Sequence, residues 1–267
     1  MHGTDQEDHE PTADVGLLRA LAADPDVEVR RQLASDLCEH AGWDRPTDDL
    51  VRIAVALTSD PDPRVRDWAC LTLGTQWRND VDSVEVRDAL AARLDDPDDE
   101  ARCEALLGLA HRSDPRALPH VRAALSRPDG SVWQLELAAA AALADPSLHP
   151  LVLRHQDGWT TDAAAATADV ARRATDPDGV GDDLLDGVAD VCRRRARGLP
   201  DGDALAAWSV LSRVLDAAPR LAVTVLDAVL ERLVDDADAR DEVLRRSALG
   251  QQADDAHRRG DGTMRHA

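Results

Sequence analysis

The chain contains no lysine, no phenylalanine and no tyrosine, and its aromatic content of 2% is tryptophan alone. Without aromatic bulk the core has to be built from Leu, Val and Ala, and the 43% of apolar residues suffices for that. Alanine has the highest helix propensity and lets helix axes approach closely, so this composition favours an all-α fold over any sheet. No run of about 18 apolar residues occurs, so no membrane span is predicted. The N-terminus, MHGTDQEDHEPTAD, lacks the basic and apolar segments of a signal peptide, and a cytoplasmic location is expected. The four cysteines, Cys38, Cys70, Cys103 and Cys192, form no Cys-x-x-Cys and read as small core side chains in a reducing compartment. No phosphate-binding Gly-rich loop and no Gly-x-Ser-x-Gly is present.

With lysine absent, every basic side chain is an arginine, and 31 of them face 52 acidic residues for a formal charge of −21. A duplex binder needs a basic stripe to release counterions, so nucleic acid is not an expected partner. A basic protein would be attracted to such a surface. Acidity also serves solubility, which is the plainer account of it.

Against these absences stands a repeat. Asp24-Pro25-Asp26, Asp60-Pro61-Asp62 and Asp96-Pro97-Asp98 follow one another at intervals of 36 residues. Five residues after each proline comes Arg30, Arg66 or Arg102, and the apolar residues Val29, Leu33 and Leu37 recur as Val65, Ala69 and Leu73 and as Ala101, Ala105 and Leu109. Offsets of 4, 8 and 12 lie along one helical face, so each Asp-Pro-Asp turn opens an amphipathic helix. Proline cannot continue the helix before it, and the second Asp can accept hydrogen bonds from the free N–H groups of the helix after it. Shorter apolar runs before each turn supply the other helix of the pair. One helical hairpin per period of this length predicts an α-solenoid, an alpha-alpha superhelix of about seven helix pairs.

From Pro25 to Leu143, the pattern Asp-Pro-Asp-x-x-Val-Arg followed by an Ala/Leu-rich helix resembles the HEAT-like repeats named for phycobilin lyases. The resemblance implies a curved stack of helix pairs whose second helices line a concave side, used to hold another macromolecule. Enzymes are a minority among such proteins. The iron hydroxylases of this architecture need several inward His-Glu dyads, and the one dyad here, His9-Glu10, lies in the N-terminal segment. The DNA glycosylases need a basic groove, which an acidic chain does not offer. No enzymatic activity, cofactor or metal is expected; the alternative is a bilin-lyase-type enzyme or chromophore-handling protein using the same groove.

Residues 1–11 are expected to form a disordered acidic N-terminus, 12–144 the HEAT-like repeats, 145–250 degenerate helical repeats with a C-terminal cap, and 251–267 a disordered tail. The first helix is expected to begin at Thr12.

Constant spacing stacks Asp24, Asp60 and Asp96 beside Arg30, Arg66 and Arg102, so an arginine of one unit is expected to bridge to an aspartate of its neighbour as a structural ladder. The candidate binding residues lie on the second helices at offsets 3, 7, 10 and 14 from the proline. They are Glu28, Gln32 and Glu39 in the first unit, Arg64, Trp68 and Thr75 in the second, and Glu100, Glu104 and His111 in the third. Trp68 is the best candidate for an anchor in a partner, although a tryptophan here could equally fill a gap between helices. Trp43, Trp77, Trp133, Trp159 and Trp208 are weaker candidates for that role. His149, His155 and Asp157 are close in sequence, but a spacing of six puts the two imidazoles on different faces and argues against zinc. His40 and His111 fall near helix C-termini, where a cation suits the dipole. The expected function is a non-enzymatic protein–protein interaction scaffold holding a basic protein on an acidic concave surface. A regulatory partner, or a basic toxin held by an immunity-type protein, would be specific versions of it.

Overall fold

The computed structural model describes residues 14–40 and 46–246. Among them are fourteen α-helices and no strand. The expected disordered segments 1–11 and 251–267, and Thr12 as the start of the first helix, lie outside the described residues. None of the described helices is long and apolar enough to cross a membrane.

The chain divides into two compact units, residues 1–112 and 113–267. The first holds three pairs: α1 (Val15–Ala22) with α2 (Val27–His40), α3 (Asp48–Leu57) with α4 (Pro63–Leu71), and α5 (Val84–Ala91) with α6 (Asp99–His111). The second helices stack in sequence, α2 on α4 and α4 on α6. The repeated apolar positions make the core, with Leu37, Leu73 and Leu109 all buried.

Each Asp-Pro-Asp performs both jobs its sequence suggests. The first Asp closes a turn around the proline: Asp60 Oδ1 accepts the N–H of Asp62 at 2.9 Å, and Asp96 Oδ1 that of Asp98 at 3.0 Å. The second Asp caps the next helix, Asp62 accepting from Arg64 and Val65 and Asp98 from Ala101. These bonds satisfy N–H groups that a helix start leaves without an intrahelical partner.

One departure from the regular helix lies at the end of α4, where Thr72–Gln76 widens into a π turn closed by Trp77 N–H on Thr72 O at 2.9 Å. Here the backbones of α4's extension and α6 approach closely. A Cβ built on Gly108 of α6 would lie 2.5 Å from Gly74 Cα, so both positions exclude a side chain. The buried guanidinium of Arg112 then collects the loosened carbonyls, donating to Leu73 O at 2.6 Å, Val81 O at 2.7 Å and Gly108 O at 2.9 Å.

The second unit continues with α7 (Ala117–Leu125), α8 (Gln134–Leu143), α9 (His149–Val152), α10 (Asp162–Thr175), α11 (Asp182–Ala196), α12 (Leu205–Ala217), α13 (Ala222–Arg232) and α14 (Ala237–Arg246). Helix α8 keeps the pair but loses the aspartate cap; instead the buried Glu136 accepts the N–H of Trp133 at 2.8 Å and a 2.8 Å bond from Arg127. The four-residue α9 is flanked by 3-10 turns at Pro146–Leu148 and Leu153–His155. Second helices stack from α8 to α10 to α12, but α13 and α14 both pack on α11. Arg232 fastens this arrangement, its Nε donating to Asp186 at 2.8 Å, while Arg193 donates to Arg232 O at 2.6 Å.

Candidate functional site

The second helices of the first unit are joined by arginine. Arg30 grips Asp60 through two bonds, Nε–Oδ2 at 2.7 Å and Nη2–Oδ1 at 3.1 Å, while its Nη1 reaches back to Asp24 O at 2.8 Å. Arg66 repeats this one unit on, with Asp96 at 2.9 and 2.7 Å and Asp60 O at 3.0 Å. Arg102 keeps the backward bond, to Asp96 O at 2.9 Å. The expected ladder is therefore present between the first three pairs, where Arg30 and Arg66 each tie their own turn to the next, while Arg102 binds only within its own unit among the described residues.

A second rail runs beside it. Arg31, one residue further on, holds the cap Asp62 by two bonds of 3.0 and 2.6 Å and also takes Glu28 at 2.5 Å. These bonds hold the Asp62 carboxyl below the usual carboxylate range. At the equivalent place in the second unit the residue is Asp67. Where the first seam has a cation on the cap, the second has a carboxylate within electrostatic reach of the cap Asp98 and of Glu100.

The consequence is visible in the ionisation of the groups. Burial, followed by the charges of Glu100 and Asp98, pushes the Asp67 carboxyl up to about 6. Burial and the Asp67 charge push Glu104 up to about 7, although Glu104 Oε2 accepts a 3.4 Å bond from Thr75. A carboxyl whose folded-state pKa exceeds its unfolded value of about 4 supports folding while protonated and loses that support as pH rises through the folded value. Asp67→Asn should therefore match the wild type in stability near pH 4, gain on it through about pH 6 and stay ahead above pH 7, by roughly 1 kcal/mol after allowing for solvent screening. Urea denaturation of both proteins across that range measures the difference, and a gain independent of pH would contradict the assignment. The opposite contribution of His111, common to both proteins, cancels.

The nine sequence candidates separate on this frame. Glu28, Arg64 and Glu100 are exposed on the first turns of α2, α4 and α6, with Glu28 bridged to Arg31. Gln32 is exposed and donates to Asp36 at 2.7 Å. Trp68, Thr75 and Glu104 are half-buried, and Thr75 meets Glu104 across the seam between α4 and α6. The backbone of Glu39 belongs to α2, but its side chain, like those of Cys38 and His40, lies outside the described residues, as does Trp43 entirely.

Several readings change. His111 is not a cation at a helix end, because burial and the neighbouring Arg78 and Arg112 push its imidazole down to about 3. Trp77 is 3% exposed and belongs to the core, so it cannot anchor a partner. Trp133 is exposed, Trp159 donates to His155 O at 2.9 Å, and Trp208 lies beneath Arg195 at 5.0 Å. Each histidine of the 149/155 pair has a structural bond, His149 to Thr175 Oγ1 at 3.2 Å and the buried His155 to Leu125 O at 3.1 Å. Cys70, Cys103 and Cys192 are buried and in no disulfide, and burial raises the pKa of Cys70 and Cys192. Among the described residues no group of three or more His, Cys, Asp or Glu side chains could hold a metal ion. Asp67 was missed because it does not fall on the offsets used for the exposed face; comparing it with Arg31 at the same repeat position would have found it.

The family model described as HEAT repeats matches residues 15–95. The protein YibA of Escherichia coli, in strains K12 and O157:H7, is 30% identical over 102 residues, which is 38% of this chain and 35% of YibA. The chain thus spans about a third of the length of the curated relatives it matches. A crystal structure of Escherichia coli YibA aligns with a TM-score of 0.40 at 21% identity, covering 59% of this chain and 67% of that one. Residues 15–95, which hold the first two Asp-Pro-Asp turns and the arginines of the ladder's first rungs, thus match HEAT repeats.

Proposed function

We propose that the chain is a non-enzymatic scaffold that binds a basic protein on the second-helix face of its first three pairs. The observation that carries this reading is Asp67 at a position where the preceding seam holds Arg31. A cationic side chain from a partner, seated against Asp67, Glu100 and Glu104, would supply the charge that the repeat itself supplies to Asp62. Thr75 offers a hydroxyl beside Glu104, and the half-buried Trp68 on α4 offers contact area. The net charge of −21 favours encounter with a basic protein over nucleic acid.

This reading has a pH signature. A cation near Asp67 and Glu104 favours their ionised forms, so binding releases protons and tightens as pH rises through about 6 to 7. Affinity capture from host lysate at low salt, followed by titration of the captured protein at about pH 5.5 and 7.5, tests it. A basic protein, displaced by salt and bound more tightly at the higher pH, is expected. An acidic partner, or affinity indifferent to both salt and pH, would contradict the reading.

A further inference from the structure

The repeat defines two sides for every pair. One side sends arginines forward, and the other receives them. On the receiving side of the second pair are Asp60 and Asp62, covered by Arg30 and Arg31, with Val65, Ala69 and Thr72 buried against the preceding helix. On that of the third are Asp96, covered by Arg66, and Ala101, Ala105 and Gly108, all buried.

The first pair has the same receiving side, where Leu18, Leu33 and Leu37 are buried and Leu21 and Val29 half-buried, and among the described residues no arginine reaches its two carboxylates. The carboxylates of Asp24 and Asp26, the counterparts of Asp60 and Asp62, accept the backbone N–H groups of Asp26 and Glu28 at 2.8 and 2.9 Å and no arginine among the described residues. Beside them the counterparts of Val65, Ala69 and Thr72 are Val29, Leu33 and Asp36. A cavity of about 270 Å³ opens there, lined chiefly by Leu18, Leu21, Val29, Leu33 and Leu37. Leu17 on α1 is 56% exposed. This end thus combines an apolar groove with two carboxylates placed as their counterparts are placed to take arginine.

We propose that this end face is a second interaction surface, distinct from the seam around Asp67, which takes a helix of another protein carrying two adjacent arginines. Continuity with the interior seams argues for that occupant, since Arg30-Arg31 is the element that covers the same surface one pair on. Charge argues against residues 1–13 of this chain, which contain Asp5, Glu7, Asp8 and Glu10 and no arginine. It also argues against the face closing on itself in a symmetric dimer, which would set Asp24 and Asp26 of two highly acidic copies against each other.

The probe is a side-chain-stapled peptide copying Val27–His40, with its helicity verified by circular dichroism so that an absence of binding is informative. Fluorescence anisotropy against the full chain should show saturable, salt-sensitive binding. The double variant Asp24→Asn, Asp26→Asn keeps the oxygen acceptors that close the turn and cap α2 but removes both charges. It should weaken the peptide about tenfold or more, as should Arg30→Ala with Arg31→Ala in the peptide. Glu100→Gln with Glu104→Gln on the other surface should leave the peptide's affinity unchanged. No saturable binding of the helical peptide, or equal binding by the Asn variant, would overturn the proposal. Loss of binding in the Gln variant instead would also overturn it, by placing the peptide on the Asp67 seam. Sedimentation of the chain alone supplies a further outcome: a dimer abolished by the Asn variant would make the occupant a second copy and overturn the heterologous one.

Discussion

Replacing Arg66 with alanine should destabilise the protein by about 3 kcal/mol, because it leaves a buried carboxylate without its principal partner. The Asp96 side chain is 1% exposed and is held by two bonds from Arg66 of 2.9 and 2.7 Å. Arg93, at 3.3 Å, remains but makes only one longer contact. The same substitution frees the carbonyls of Asp60 and Pro61, to which Arg66 donates at 3.0 and 3.1 Å. Burial acts to raise the pKa of Asp96, but the Arg66 bond, the Asp98 N–H and the two arginine charges outweigh it and the net direction is down. The contribution is therefore present above the unfolded value of about 4 and is lost as pH falls through the lower folded value. Equilibrium urea denaturation at neutral pH should show the full loss and at acid pH a smaller one. Arg66→Lys should recover little, since an ammonium cannot make the paired planar contact. A change within about 0.5 kcal/mol at neutral pH would mean the ladder does not hold the stack.

Asp67→Arg should act in the opposite sense on stability. It removes a carboxyl whose ionisation is disfavoured by burial and by Glu100 and Asp98, and it places a guanidinium where Arg31 stands one repeat earlier. Arg31 spans the seam to Asp62 with bonds of 3.0 and 2.6 Å, so the new side chain has a template for reaching Asp98. A gain on the order of 1 kcal/mol is expected at neutral pH, shrinking as acid protonates the wild-type carboxyl. A loss of stability at neutral pH would show that the seam between α4 and α6 does not accept the repeat's own arginine.

The fold was legible where a residue's chemistry and its spacing said the same thing. Proline ends helices and aspartate caps them whatever the neighbours are, so Asp24, Asp60 and Asp96 located the turns from the sequence alone. The forward reach of Arg30 and Arg66 followed from their constant offset. The π turn at Thr72–Gln76, where Gly74 meets Gly108 of a second helix, did not, because it has no local signature. The packing of α14 on α11 was equally hidden, since the last pairs have lost the Val-Arg positions that would fix their register.

The candidate face was legible only in part. Helical offsets picked out exposed positions such as Glu28 and Glu100, but they treated each helix alone. Glu104 and Thr75 lie in the seam between α4 and α6, where the neighbouring helix decides exposure and ionisation. His111 illustrates the same limit: its place near a helix end suggested a cation, whereas burial beside two arginines makes it neutral. Asp67 stands out only when the arginine at the same position of the neighbouring repeat is seen holding a carboxylate.

The most direct test of the acidic seam as a binding site is the affinity of the captured partner for the wild type and for Asp67→Arg, measured side by side at neutral pH and low salt. With Asp67→Arg folded and at least as stable as the wild type, loss of most of the affinity is the predicted result, because the position left open for the partner's cation is then filled from within. Undiminished binding by that folded variant would contradict the account and place the partner elsewhere on the chain.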